Sequence, residues 1–225
     1  SAFARECGII FSRNPRVGFV IVFALTLLLL ASILATYVVA ERYLANVAYN
    51  QSGIALEAGK FDVADAAVKR SVLFAPSDRA YQVAAAVGIA RMRQIAADET
   101  LSASEAQQKF QETLSGAVQN ALTATTLNPN NYQNWMMLGN VYGVVVPLKI
   151  EGAYKNAKDA YARAVALNPT NTNLQLILAQ LEIAQGNGTA AEEILIQAIT
   201  LKHDFTQAIF LLSQIEVQLC KAKEA

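Results

Sequence analysis

A short phrase that ends in proline recurs along the chain and divides most of it into units of comparable length. It reads SVLFAP at residues 71–76, ATTLNP at 124–129 and AVALNP at 164–169, and His203 takes the proline's place in AITLKH. Small residues recur at fixed distances before it: Ala64 and Ser71, Ala117 and Ala124, Ala157 and Ala164, Ala191 and Ala198. Because the residue before a proline is disfavoured in a helix, each phrase predicts a helix end, and the spacing predicts stacked helical hairpins. Unrelated hairpins are the alternative, which the recurring small residues disfavour.

The residues after Pro129 carry a more specific pattern. Trp135, Leu138, Gly139 and Tyr142 form W-x-x-L-G-x-x-Y, which resembles the first helix of the tetratricopeptide repeat (TPR), a helix-turn-helix of about 34 residues. The small residues and the proline upstream resemble the A…F…A…P pattern of that repeat's second helix. The resemblance implies an all-α fold, a right-handed α-solenoid whose small residues let paired helices approach closely.

Register with this family predicts four repeats and part of a fifth, at about 43–77, 78–129, 130–169, 170–203 and 204–225. In the second repeat 53 residues separate Pro76 from Pro129, so we expect both of its helices to extend into a projecting hairpin. Ser102 and Glu105 have the spacing of a capping box at the start of its second helix. The third repeat has extra residues in the apolar turn 143–152, which either packs against the repeats or forms an exposed contact.

Residues Val17–Ala40 form a run of 24 residues without a charge. As a helix the run is about 36 Å long, enough to cross a hydrocarbon core about 30 Å thick. The alternatives are a buried helix of a soluble protein, which is rarely apolar over such a length, and a cleaved signal peptide, whose apolar region is shorter. We therefore predict a transmembrane helix at 17–40 that contacts the lipid bilayer.

Charged residues around this run predict its orientation. Three arginines precede it against one glutamate, whereas Glu41 and Arg42 cancel after it. Positive residues favour the cytoplasmic side, so the sequence predicts a protein of the bacterial inner or plasma membrane with its N-terminus in the cytoplasm and its repeat domain, residues 41–225, outside. Residues 1–16 would be a cytoplasmic segment, either a helix in the membrane interface or a plain loop.

No proline or Gly/Ser-rich linker separates the apolar run from the first repeat, and between that run and Ala58 only Gly53 interrupts. We expect one helix of about 60 Å that passes from the membrane into the first repeat. Such a helix would hold the solenoid at a fixed attitude to the bilayer instead of on a flexible tether.

Composition and motifs argue against several classes of function. The 18 basic residues balance 18 acidic ones, so there is no basic excess to suit nucleic acid. Cys7 and Cys220 lie at opposite ends and form no metal or redox motif. His203, the only histidine, stands where a solvated turn is expected, and no nucleophile elbow, phosphate loop or zinc motif occurs. We therefore predict that this chain is not an enzyme and holds no metal, cofactor or small-molecule substrate.

In the TPR family a concave groove, lined mostly by the first helices of the repeats, holds an extended peptide or a helix of a protein partner. The family's second, fifth, ninth and twelfth positions of these helices correspond here to Gln133, Met136, Asn140, Gly143, Asn173, Leu176, Gln180, Ile183, Gln207, Phe210, Gln214 and Val217. This lining is amide-rich and nearly uncharged, which suits pairing with a peptide backbone. It differs from the carboxylate-clamp subclass, which uses lysines and arginines. Packing between repeats is the alternative role for these side chains.

The sequence thus predicts a membrane-anchored TPR scaffold that binds protein partners in an envelope complex. The chain begins at Ser1 without a methionine, which suggests a rival. In that rival it is the C-terminal regulatory or docking part of a polytopic membrane enzyme resembling O-antigen ligases or polymerases, whose active site would lie upstream. That resemblance is one of architecture only, with no catalytic residue to match. A soluble cytosolic adaptor is disfavoured by the apolar run.

Overall fold

The computed structural model describes residues 15–224 and the side chains of residues 15–217. This part of the chain contains α-helices and one 3-10 helix and has no strand. The helices are α1 Pro15–Glu57, α2 Phe61–Phe74, α3 Asp78–Ala97, α4 Ala103–Leu127, α5 Tyr132–Gly143, α6 Ala153–Leu167, α7 Thr172–Gln185, α8 Gly188–Leu201 and α9 Thr206–Glu224, with the 3-10 helix at Val146–Leu148. The prediction of an interfacial helix or loop before the apolar run falls almost wholly outside the described residues.

Consecutive helices pair into hairpins, and the hairpins stack in chain order. The pairs are α1 with α2, α3 with α4, α5 with α6 and α7 with α8, and α9 packs on α8. Neighbouring hairpins meet through α2 and α3, α4 and α5, and α6 and α7. Since each hairpin packs mainly on the next, the architecture is a solenoid, and the predicted all-α solenoid is confirmed.

The recurring proline phrases end helices as expected. Asn128-Pro129-Asn130-Asn131 joins α4 to α5, and Asn168-Pro169-Thr170-Asn171 joins α6 to α7. In both turns the last asparagine caps the next helix, because its side chain accepts a hydrogen bond from a backbone N–H two residues on, at 3.1 Å. The turns inside the first and last hairpins use glycine instead: Gly59 and Gly186 have φ of 69° and 88°, a backbone region that other residues rarely adopt.

The small residues before each proline lie where paired helices touch. All eight of them, from Ala64 and Ser71 to Ala191 and Ala198, are at most 2% exposed. Gly139 has the same role in α5, since a Cβ added there would lie 2.5 Å from ring carbons of Tyr161 on α6. Larger side chains at these positions would push the helices apart.

The lengthened second repeat forms the expected hairpin. Its helices α3 and α4 contain 20 and 25 residues, whereas α7 and α8 contain 14 each. The capping box is present: the Ser102 hydroxyl accepts from the Glu105 N–H at 3.3 Å, and the Ser102 N–H donates to the Glu105 carboxylate at 3.1 Å. At the other end of the hairpin, the Asp78 carboxylate accepts hydrogen bonds at 3.0–3.2 Å from three asparagine side chains of the α4–α5 turn and α5.

The apolar turn after α5 is partly packed against the repeats and partly exposed, so each of the two predicted alternatives holds for some of its residues. Val145 and Val146 are 1% and 5% exposed and belong to the largest core cluster, which α3 to α7 share. Leu148 and Ile150 point outward and are 58% and 40% exposed. Packing therefore explains the two valines, and the tip of the turn remains a surface.

Helix α1 begins before the apolar run and continues without interruption into the first hairpin. Its 43 residues span about 65 Å, so the expected continuous helix is confirmed. Among the described helices it is the one long and apolar enough to cross a membrane. Its side chains from Phe19 to Ala40 are exposed, and burial against α2 and α3 begins at Ala45.

A candidate protein-binding groove

A groove with a volume of about 590 Å³ crosses the inner faces of α3, α5 and α7. Its lining combines apolar side chains with a few polar ones: Leu56, Ala86, Ile89, Ala90, Arg93, Met137, Asn140, Gly143, Val144, Tyr161, Ile177, Gln180, Leu181 and Ala184. Most of these residues belong to the first helices of three successive hairpins. The groove is therefore built by the stacking of repeats and not by any one of them.

Equivalent positions of the first helices form rows across the groove. Helices α5, α7 and α9 begin at Tyr132, Thr172 and Thr206, the residues from which the family positions are counted. Counted in this way, the ninth residues of α3, α5 and α7 are Ala86, Asn140 and Gln180, and all three line the groove. The sixth residues of α5 and α7, Met137 and Ile177, form an apolar row beside them.

Three of the residues predicted from the sequence lie in this groove, namely Asn140, Gly143 and Gln180. The second-position residues Gln133 and Asn173 are exposed but lie outside its lining. The other predicted residues outside this lining fall into two groups. Met136, Leu176 and Ile183 pack against the core clusters, and Gln207, Phe210, Gln214 and Val217 are exposed on α9. A partner-binding role for these residues stays a prediction.

Leu176 is the clearest case of a groove candidate used for packing. It is 8% exposed and lies in the cluster that joins α7, α8 and α9. Burying a leucine side chain stabilises a fold by about 1.5–3 kcal/mol, so this position contributes to the stack itself. In α7 the fifth residue, Leu176, packs with α8 and α9, whereas the sixth, Ile177, lines the groove.

Tyr161 forms the floor of the groove, although it comes from a second helix, α6. It passes over Gly139 and Gly143, where added Cβ atoms would lie 2.5 Å and 3.2 Å from its side chain. Its hydroxyl donates a hydrogen bond to the amide oxygen of Asn140 at 2.8 Å, and burial raises the pKa of this phenol. The sequence contained the signal, since Tyr161 stands where the repeat pattern has phenylalanine.

The bond from Tyr161 fixes the side chain of Asn140 at the middle of the groove. It occupies the amide oxygen, and the NH₂ group of Asn140 makes no hydrogen bond to any described residue. An NH₂ group in this state can donate to a carbonyl oxygen of a bound chain. The groove thus offers a preset donor on an otherwise largely apolar floor.

Arg93 brings a positive charge to the groove that the sequence positions did not predict. It lies on α3, is exposed, and forms no ion pair with a described residue. Arg93 is not one of the family's groove positions, because it lies beyond the twelfth residue of α3, in the part that the insertion lengthens. The lining is therefore not uncharged, although one arginine is fewer than the several cations of a carboxylate clamp.

A second polar cluster lies between α6 and α7, outside the groove lining. The carboxylate of Glu182 is 1% exposed and accepts hydrogen bonds from Tyr154, Lys158 and Asn187 at 2.8 Å each. Burial raises the pKa of Glu182, but the hydrogen bonds from Lys158, Asn187 and Tyr154 outweigh it and the net pKa is lowered. Since every partner is satisfied, this cluster joins neighbouring hairpins and does not resemble a reactive site.

Within the described part of the chain, no three His, Cys, Asp or Glu side chains come together as metal ligands would. His203 is exposed in the turn between α8 and α9. The groove lining combines an apolar row, the hydrogen-bonded amide of Asn140, the amide of Gln180 and the cation of Arg93.

Comparison with known proteins agrees with this geometry. Residues 148–215 match the family model of the tetratricopeptide repeat. A thermophilic TPR protein from Thermus thermophilus is 20% identical, with a TM-score of 0.63 over 77% of this chain and 81% of that one. The MamA protein is 18% identical, with a TM-score of 0.52 over 80% and 87%. A TPR protein from Parabacteroides merdae is 15% identical, with a TM-score of 0.53 over 78% and 61%. No curated protein matched the sequence.

At these identities the solved structures establish a shared fold. Together with the family match over residues 148–215, they confirm the predicted resemblance to tetratricopeptide repeats. The resemblance to O-antigen ligases or polymerases finds no support in them.

Proposed function

We propose that this chain is a membrane-anchored scaffold whose TPR groove holds a segment of a protein partner within an envelope complex. The observation that carries the proposal is the pair of rows across the groove, one of apolar sixth positions and one of ninth positions that includes Asn140 and Gln180. A groove of this kind matches the side-chain and backbone pattern of a peptide.

The lining suggests what the segment looks like. Met137 and Ile177 favour apolar side chains, whereas Asn140 and Gln180 are suited to pair with backbone amides and carbonyls. Arg93, at the α3 side of the groove, favours a carboxylate on the same segment. We infer an extended peptide with apolar side chains and one acidic side chain near the end that lies against α3.

Helix α1 supplies the anchor in this proposal. Its apolar part is long enough to cross a bilayer, and its exposed side chains have no other cover among the described residues. The excess of arginine before the run favours a cytoplasmic N-terminus, and the proposal therefore puts the groove on the opposite side of the membrane. The continuous helix holds the groove at a fixed height and orientation for a partner in the same envelope.

Site-specific photocrosslinking tests the groove. We would place a benzophenone amino acid at Gln180, in the groove, and at Gln197, an exposed residue of α8 outside the groove lining. Irradiation of cells that contain the full chain should give a discrete protein adduct from the Gln180 position. The same adduct should weaken when Arg93→Glu is added, because that substitution reverses the one charge in the lining.

Equal adducts from both positions would contradict the proposal, as would an adduct at Gln180 that is insensitive to both Arg93→Glu and Asn140→Leu. Circular dichroism of each variant checks that the helical fold is retained.

A further inference from the structure

We propose that a cavity at the membrane end of the first hairpin binds the phosphate of a phospholipid headgroup, an inference that rests on the membrane anchoring proposed above. The cavity has a volume of about 500 Å³. One wall is α1 and the other is the end of α2 with the turn into α3. Its lining consists of Arg42, Ala45, Asn46, Tyr49, Ser71, Ala75, Pro76, Ser77 and Arg79.

The position of this cavity along α1 corresponds to the headgroup layer. Arg42 and Tyr49 follow the end of the apolar run at Ala40 by about 3 Å and 14 Å along the helix axis. Each headgroup layer of a bilayer is about 5–8 Å thick, so the Arg42 end of the cavity lies within it. Helix α2 runs back antiparallel to α1, which returns Ser71, Pro76 and Arg79 to the same level.

The charge of the cavity suits an anion. Two arginines line it and no carboxylate does. Neither Arg42 nor Arg79 forms an ion pair with a described residue, whereas Arg91, on the same helix as Arg79, pairs with Asp62 at 2.8 Å. A guanidinium group matches phosphate oxygens with two parallel hydrogen bonds, and it gains most when the anion is partly shielded from water.

Neutral polar groups complete the site. Asn46, Tyr49 and Ser77 offer an amide and two hydroxyls around the arginines. The Ser77 oxygen already accepts the α3 cap bond from the Ala80 N–H at 3.2 Å, and its O–H remains able to donate. Ala45, Ala75 and Pro76 form the apolar part of the wall, which an acyl glycerol backbone would contact.

The surroundings favour a lipid phosphate over a free one. Tyr37 and Tyr43 are 59% and 67% exposed on either side of the end of the run, and tyrosines at such positions are typical of the membrane interface. A phospholipid bilayer presents phosphodiesters at this depth, whereas free phosphate would have to be drawn from solution. A bound phosphodiester would also fix the height and rotation of α1 in the membrane.

Native mass spectrometry of the full chain in a neutral detergent tests the site, with phosphatidylglycerol titrated as the probe. We expect one phosphatidylglycerol to bind before any others, and Arg42→Gln or Arg79→Gln to weaken that binding about tenfold each, the loss of one charge-assisted contact. The controls are Lys109→Gln and Lys155→Gln, which remove exposed cations outside the cavity and should change nothing.

Three results would overturn the inference. The first is equal weakening by the control variants, which would mean non-specific attraction. The second is unchanged binding in Arg42→Gln and Arg79→Gln. The third is inorganic phosphate that displaces the lipid at similar concentration, which would assign the cavity to free phosphate. Flotation of the wild-type chain with phosphatidylcholine vesicles is run beside these tests. A chain that fails to float contradicts the anchoring itself, whereas one that floats without a selective first lipid contradicts only the cavity.

Discussion

At the scale of single residues, the groove depends on the absence of a side chain at Gly139. Gly139 leaves the space through which Tyr161 reaches the groove and holds Asn140. The W-x-x-L-G-x-x-Y pattern singles out Gly139, whereas Gly116 also lies inside a helix but has open space where a Cβ would be. The difference between them is the aromatic ring supplied by α6.

Replacing each of these two glycines with alanine gives a matched pair. We expect Gly139→Ala to destabilise the chain by about 1–3 kcal/mol, because its Cβ would overlap the Tyr161 ring. Gly116→Ala should stabilise α4 by up to about 1 kcal/mol, since alanine favours helix and meets no obstacle. Urea unfolding of the detergent-solubilised chain measures both, and a common shift in the same direction would contradict this account of Gly139.

The buried carboxylate of Glu182 makes a second prediction, in the dependence of stability on pH. Its pKa is lower in the folded chain than in the unfolded one, so its contribution is present above the unfolded value, about 4.3, and is lost as the pH falls through the folded value. We expect Glu182→Gln to cost about 1–3 kcal/mol at pH 7 and to bring the variant's stability closer to that of the wild type in acid. The control is Glu193→Gln, an exposed residue of α8.

Unfolding in urea at neutral and acid pH gives the comparison. A difference between wild type and Glu182→Gln that stays constant across this range would show that the carboxylate's charge is not what the network stabilises.

At the scale of elements, α1 is one continuous helix that combines an exposed apolar part with a part packed in the first hairpin. Its side chains change from exposed and apolar before Ala40 to packed on α2 and α3 from Ala45, without a break in the helix. Ala45, Ala48, Ser52 and Ala55 supply the packed face, and small residues let α2 lie close. In the proposed anchored protein, this continuous helix sets the orientation of the repeats to the membrane.

A flexible Gly/Ser linker inserted after Arg42 should abolish this control while leaving membrane insertion intact. We would attach spin labels at Val20→Cys and Gln197→Cys, with Cys7 and Cys220 replaced by serine, and measure the distance between them by double electron–electron resonance. We expect a narrow distribution in the parent chain and a much broader one with the linker. Distributions of equal width would contradict the rigid helix, and photocrosslinking at Gln180 should decline together with the loss of order.

The elements were also the scale at which the sequence was most informative. Proline phrases and caps such as Ser102 are local signals, and they placed the turns, the long hairpin and the register of α5, α7 and α9. The groove was harder to predict because it depends on how hairpins are rotated against one another. Leu176 is covered by α8 and α9, and Arg93 enters only because an insertion lengthens α3. The spacing within one repeat predicts neither the burial of Leu176 nor the position of Arg93.

At the scale of the whole molecule, an apolar helix continues into a solenoid with a groove on its inner face. The described hairpins stack into the solenoid, and they have the fold of known TPR structures. The proposed membrane anchoring connects the remaining features: it would cover the exposed apolar residues of α1, bring the arginine cavity among lipid headgroups and restrict the groove to partners on one side.

The most direct test of this central proposal is protease protection of the full chain expressed in bacteria. One sample of membranes is washed with alkaline carbonate to test extraction. A separate sample of intact spheroplasts is treated with protease and probed with an antibody against residues 78–203. We predict that the chain resists extraction and is digested from outside the intact spheroplast. N-terminal sequencing of the extraction-resistant chain should show that the apolar run has not been cleaved off. A chain released by carbonate, cleaved after the apolar run, or digested only after lysis would contradict the account.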